Sequence, residues 1–369
     1  MLLRELSEAF GVSGHEGAVR EVILTAIKDL VDEHHVDALG NLIALKKGSA
    51  SEPRRTKGAG RKAPAPVLGR GLRPSGTCSK VMVSAHMDEV GLMIVYLERE
   101  GSLRFRPVGG IDDRVLLSKR VLIGDNRAPG VIGVKPIHLL EEKQRNQVIR
   151  VQDMSIDIGA SSKEEAERLV KLGDYVAFDV AFTELGGPAQ AVKGKAFDDR
   201  AGCAVLIELL KQSYPFDLYA AFTVQEEVGL RGAQVAAYSI APDVAFALEG
   251  TICDDLPKKR DVSPTTTLGA GPALTLMDRS VISDRRLVNL LVETAQREGI
   301  PYQFKQPGIG GTDAGAIHLT RAGVPSAVVA VPSRYIHSPV CMLSRNDLNN
   351  TVRLMRATLA QIQELNLNR

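Results

Sequence analysis

Val81-Met82-Val83-Ser84-Ala85-His86-Met87-Asp88 is the stretch on which the reading of this chain turns. A short apolar run without polar alternation reads as a strand buried on both faces, the kind found in parallel sheets. His86 stands at its carboxyl end, and open α/β sheets gather their functional groups at that end of their strands. The same device recurs downstream. Leu218-Tyr219-Ala220-Ala221-Phe222-Thr223-Val224 runs through Gln225 into Glu226-Glu227, and Val244-Ala245-Phe246-Ala247-Leu248 runs into Glu249. Ala327-Val328-Val329-Ala330-Val331 precedes Arg334-Tyr335-Ile336-His337. Each strand is expected to stop where its polar group begins.

Helical patterns alternate with these strands. Apolar spacing predicts helices over Ala201 to Leu210, Ser283 to Glu298, and about Asn346 to Leu365, the last capped by an Asn or Asp. Leu2 to Phe10 is also apolar at helical spacing, and Ser13-Gly14-His15-Glu16 has the form of a capping box opening a helix that runs to about Leu30. Val36 to Leu45 reads as a turn with a strand on either side. From about Leu92 to Val192 the texture changes to short alternating strands with Gly and Pro turns, interrupted by one helix-like stretch, Ser162 to Leu172. The expected architecture is a discontinuous α/β domain, residues 1–91 and 193–369, interrupted by a small β-rich domain, residues 92–192. A basic segment from 48 to 80, rich in Pro, Gly, Arg and Lys against the single acid Glu52, reads as a solvated insertion.

Composition narrows the partners. With 369 residues, 44% hydrophobic and 24% charged, the chain suits two globular domains, and a net charge of +2 argues against nucleic acid or another polyanion. No run approaches the roughly 20 apolar residues of a membrane span. The amino terminus, with Arg4 and Glu5, does not read as a secretory signal. Cys78, Cys203, Cys253 and Cys341 are scattered without any C-x-x-C pair, as reduced thiols of a cytoplasmic protein are, so cysteine is not expected among metal ligands.

The polar groups themselves form an inventory. His86 suits a metal, with Asp88 two residues on to engage the ring's other nitrogen. Asp198-Asp199, just before a helix, would serve as cap or as ligand. Paired glutamates at a strand end are costly beside a core unless a cation compensates them; one would bind it while its neighbour takes a proton. Glu249 and His337 complete a set that fits two divalent ions sharing a bridging carboxylate. His15, His34, His35, His138 and His318 read as surface or packing residues, with His34 and His35 in a polar turn.

Five motifs carry a resemblance. H-M-D-E-V-G (His86 to Gly91), K-A-F-D-D-R-A-G (Lys195 to Gly202), Q-E-E-V-G-L-R-G-A (Gln225 to Ala233), G-G-T-D-A-G (Gly310 to Gly315) and Y-I-H-S-P (Tyr335 to Pro339) resemble the tetrahedral, TET-type aminopeptidases of metallopeptidase family 42. The resemblance implies a zinc-peptidase-like α/β/α sandwich with a mixed central sheet, and a β-rich domain that forms dimers assembling into tetrahedral dodecamers. It implies two divalent ions, zinc or cobalt with manganese also accepted. His86, Asp198 and Glu249 would hold one, and Asp198, Glu227 and His337 the other. Glu226 would be the general base, Asp88 the orienting carboxylate, and the Asp198–Asp199 peptide cis. The substrates implied are peptides with a free amino terminus. An N-acyl amino acid deacylase or a dipeptidase is the alternative on the same site. Glycoside hydrolysis fits poorly in a chain with no Trp and 4% aromatics, and a non-catalytic scaffold would lack a ligand or base, whereas none is missing.

Overall fold

The strand Lys80–His86 lies in the middle of a mixed sheet that has eleven strands among the described residues. The structure, a computed structural model, describes residues 2–49, 78–257 and 265–365. Along the sheet the order is Glu33–Val36, Leu42–Lys46, Asp217–Thr223, Lys80–His86, Val244–Ile252, Ser326–Arg334, Cys341–Ser344, Ala191–Gly194 and Thr183–Gly186. Ala273–Thr275 and Gln303–Phe304 branch from the Ser326–Arg334 strand. The four central strands, from Asp217–Thr223 to Ser326–Arg334, are mutually parallel, so their carboxyl ends share one edge.

Residue alternation explains the layers. Val81, Val83, Ala85, Leu218, Ala220, Phe222, Phe246, Leu248 and Val329 point to one face, packed with the helices Gly17–Ile27, Phe197–Leu209, Arg285–Arg297 and Arg345–Gln361. Met82, Ala221 and Ala245 point to the other, under the helix Arg231–Ile240 and Ile317. Covering both faces is what lets the strands be apolar throughout, and the result is an α/β/α sandwich.

A closed six-stranded barrel interrupts it, built from Gly91–Leu97, Leu103–Val108, Arg120–Ile123, Ala128–Ile132, Ile156–Asp157 and Tyr175–Phe178. Leu92, Ile94, Leu103, Phe105, Val121, Ile123 and Ile156 fill its separate core. Among the described residues no helix is long and apolar enough to cross a membrane.

Several boundaries differ from expectation. The chain rejoins the large sheet at Thr183, not at 193, because the hairpin Thr183–Gly186/Ala191–Gly194 pairs with Cys341–Ser344; a short amphipathic hairpin gives no local sign of which sheet will accept it. His34 and His35 belong to the exposed edge strand Glu33–Val36. The Ser13–Glu16 box does not cap its helix: Ser13 Oγ donates to Asp88 Oδ2 at 2.6 Å, and Glu16 Oε1 accepts from Gly14 N. The final helix starts at Arg345, capped by Ser344, whose hydroxyl accepts from Asp347 N. Of the basic segment, residues 50–77 lie outside the described residues. Gly48 is anchored through its N–H to Asp217, and Lys80 already belongs to a strand.

Candidate metal centre

The shared edge of the parallel strands brings the seven sequence-selected residues together. His86 ends its strand, Glu226 and Glu227 follow Thr223 in a turn, and His337 lies in the turn beyond Arg334. Asp198 enters from the start of the helix Phe197–Leu209, where it and Asp199 have non-helical backbone angles and a cis peptide between them. Glu249 departs from expectation, sitting inside Val244–Ile252 rather than after its end. Gly250, the next residue, keeps pairing with Val331. It is glycine because an added Cβ would lie 2.8 Å from Asp198 Cα.

Asp198 is the centre of the arrangement. Its Oδ1 is 3.3 Å from His86 Nε2 and its Oδ2 is 3.7 Å from His337 Nε2. Glu249 Oε2 stands 3.7 Å from His86 Nε2, and Glu227 Oε2 stands 3.3 Å from His337 Nε2. A tetrahedral zinc with ligands at about 2.0–2.1 Å separates its ligand atoms by about 3.4 Å, so these spacings suit ions between the pairs. The combinations His86–Asp198–Glu227 and His86–Asp199–Glu249 each place their ligand atoms within 4.8 Å of one another.

The histidine tautomers make the same point. His86 Nδ1 faces the carbonyl of Asp88 at 3.1 Å, and His337 Nδ1 faces the carbonyl of Gly110 at 2.8 Å. A carbonyl only accepts, so each Nδ1 carries a proton and each ring turns its Nε2 toward carboxylate oxygens. With Nδ1 so engaged, Nε2 is the ring atom left to ligate an ion, which would take the place of its proton.

The acids are under matching stress. Burial pushes Glu226 and Glu249 well above the usual carboxylate range and Glu227 up to about 7, with neighbouring acids adding to each. Burial would raise Asp198 too, but contacts with His337 and His86 outweigh it and hold it low. Burial alone would lower His337; Asp198 and Glu227 instead lift it to about 9. The cluster draws protons because it lacks cationic charge of its own, and a divalent ion supplies that charge. The donor set, spacing and tautomers therefore fit a divalent-metal pair.

The profile of the M42 glutamyl aminopeptidase family matches residues 71–354. The chain belongs to that family. The lysyl aminopeptidase of Pyrococcus furiosus is 34% identical over 99% of this chain and 97% of its own. A TET aminopeptidase from a marine-sediment Thaumarchaeota archaeon superposes with a TM-score of 0.87 at 36% identity, covering 98% of this chain and 95% of its own. The Pyrococcus horikoshii TET1 peptidase, described as assembling into a tetrahedron or a large octahedral shell, gives 0.80 at 37%, covering 97% and 98%. Membership in the M42 family makes this protein a metal-dependent aminopeptidase of the TET type.

Within this M42 site, several supporting contacts escaped the sequence reading. Asp88 does more than face the His86 ring, where its Oδ1 is 3.4 Å from Nδ1. Its carboxylate also accepts the backbone N–H groups of Glu226 and Glu227 at 3.0 and 3.2 Å, fixing the turn that carries both glutamates. Asp199 accepts from His86 N and Gly202 N, tying the strand end to the helix start. Asp313, in the G-G-T-D-A-G motif, is buried beneath Glu249: its N–H donates to Glu249 Oε1 at 3.0 Å, and its Oδ2 accepts from the Thr223 hydroxyl. Gly110, in the barrel, supplies the carbonyl behind His337. Asp313 had a visible motif; Gly110 had no signal, since a backbone carbonyl leaves none.

Proposed function

We propose that the chain removes N-terminal residues from peptides at a centre of two divalent ions, zinc, cobalt or manganese, with Glu226 as general base. The observation that carries this reading is Asp198 flanked by two histidine Nε2 atoms, each with a second carboxylate beside it. His86, Asp198 and Glu249 would hold one ion, and Asp198, Glu227 and His337 the other. Such ions, when bound, supply a shared water acidified to give hydroxide near neutral pH and polarisation of the scissile carbonyl.

The remaining work falls to the protein. Glu226 lines a cleft of about 620 Å³ with the ligands, and its Oε2 is 4.0 Å from His86 Nε2. From there its carboxylate takes the proton of the attacking water and returns it to the departing amine. Asp88 positions Glu226 through its N–H. The carboxylates around the centre attract the substrate's free ammonium, which restricts cleavage to the first residue. Amino-acid p-nitroanilides should be turned over, and N-blocked analogues should not, with activity lost to chelator and restored by zinc or cobalt. Turnover of N-acyl amino acids alone would replace this reading with a deacylase.

The assembly proposed is the homo-oligomeric, tetrahedral dodecamer of TET relatives, with dimers formed through the barrel domain. Val131, Val134, Ile137, Leu139 and Val148 in that domain are 45–67% exposed, apolar surface of the kind that interfaces cover. A monomer by light scattering at micromolar concentration would reject it. Four free, buried cysteines support a cytoplasmic setting.

A further inference from the structure

The turn that carries Glu226 lies between the strand Asp217–Thr223 and the helix Arg231–Ile240, and side chains from distant segments hold its backbone. Four successive N–H groups each donate to a side-chain oxygen. Val224 N donates to Asn41 Oδ1 at 3.0 Å and Gln225 N to Glu16 Oε1 at 3.2 Å, while Glu226 N and Glu227 N take the two oxygens of Asp88 at 3.0 and 3.2 Å. Backbone amides shielded from water need partners, and here every partner is a side chain, so the turn takes its position from them.

The loop so held is a strained one. Gln225 and Leu230 have φ +56 and +57, left-handed values that a residue with a Cβ adopts only where its neighbours enforce them. Asn41, fully buried, pinches the loop at its base: its Oδ1 accepts from Val224 N while its Nδ2 donates to Gly232 O at 3.0 Å. A Cβ at Gly232 would collide with Asn41 Oδ1 and with the Val224 carbonyl, which is why glycine stands there. Glu16 holds the left-handed residue itself. It is 4% exposed, and its Oε1 joins the Gly14 N–H of its own turn to the N–H of Gln225, the residue just before the base. Among the described residues the Glu226 carboxylate has no hydrogen-bond partner, so its place beside His86 is set through the backbone.

We propose that Glu16 is a positioning residue for the reaction: by fixing Gln225 in its left-handed conformation it aims Glu226 at the attacking water. The inference rests on the reading of Glu226 as general base. What Glu16 supplies is an acceptor oxygen at a set reach, not a negative charge.

The experiment measures kcat, KM and metal content of the zinc-loaded full chain on whichever of Leu-, Glu- and Lys-p-nitroanilide it turns over fastest. Glu16→Gln keeps the acceptor oxygen and should retain kcat within about 3-fold. Glu16→Asp keeps the charge but is one methylene short, and should lower kcat about 10- to 100-fold with KM within about 2-fold and both ions retained. In a Glu226→Gln background, Glu16→Asp should cost less than about 2-fold more, because a base already removed cannot be misaimed. The reverse order, with Glu16→Asp active and Glu16→Gln impaired, would overturn the proposal, as would equal kcat in wild type and both variants. A loss of equal size in both backgrounds would also overturn it, and so would a Glu16→Asp chain that loses its fold or its ions, since these mark a purely structural role. Undiminished turnover in Glu226→Gln alone would instead overturn the general-base reading, and this proposal with it.

Discussion

The two halves of the proposed metal centre are built differently. His86 is 1% exposed and belongs to a strand flanked on both sides by parallel neighbours, with Glu249 one strand away inside another. His337 is 42% exposed, lies in a turn at φ +57, and is steadied by a carbonyl from the barrel domain 227 residues away. Left-handed backbone costs a residue with a Cβ about 1–2 kcal/mol, so that turn persists only because its neighbours hold it. The first half inherits the rigidity of the core. The second depends on two loops and a domain contact, and is the softer of the two.

Glu226 is the base proposed for both halves, so replacing it should be the most damaging change to turnover. Glu226→Gln is expected to keep both ions and lose about 10³-fold in kcat, read by metal analysis beside kinetics. Retained activity would remove Glu226 from the base role. The contrast itself is tested by the two histidines. His86→Ala should abolish binding of both ions, since Asp198 and Glu249 lose the imidazole that orders them. His337→Ala should release one ion and leave the other. Two tightly held ions in His337→Ala would refute the ligand set, and equal losses in both variants would erase the asymmetry.

A subtler test concerns the base of the His337 turn. Arg334 pairs with Asp255 through two contacts of 2.6 and 2.8 Å, clamping the strand end to the chain beyond Ile252. Burial would raise the Asp255 carboxyl, but Arg334 and the Leu268 N–H hold it at about 2. A depressed carboxylate contributes fully above its unfolded value near 4 and loses that contribution as pH falls through about 2. Asp255→Asn should therefore cost about 2 kcal/mol at neutral pH, with the difference vanishing in strong acid, as measured by denaturant unfolding. An unchanged difference at pH 2 would detach the clamp from titration. On the rigid side, Ser13→Ala removes one hydrogen bond to Asp88 and should cost about 1 kcal/mol, with kcat lowered less than 10-fold. A larger loss of activity than of stability would mean that Asp88 is softer than its burial implies.

Much of this was legible before any coordinates. Apolar runs such as Val81–Ala85 and Leu218–Val224 announced a sheet covered on both faces, and the polar residues following them marked its functional edge. Glu249 was misplaced relative to its strand because a polar residue was taken as the strand's end, whereas pairing with Ser326–Arg334 carries the strand on through Gly250, which admits the Asp198 backbone. Residues 183–192 were expected in the β-rich domain but pair with the large sheet, because pairing partners are chosen over long range. The Ser13–Glu16 box was legible as a motif, but its groups are spent on Asp88 and on a local turn.

The sequence by itself determined the layered α/β class, the inserted β domain, the family, and which seven side chains could meet, because residue type and periodicity are local properties of a chain. Only the tertiary structure decided how those side chains are held. The Gly110 carbonyl behind His337 and the Glu226 and Glu227 amides on Asp88 arise from backbone groups that distant segments bring together. Such contacts carry no local signature, since their energy depends on where the rest of the chain has packed.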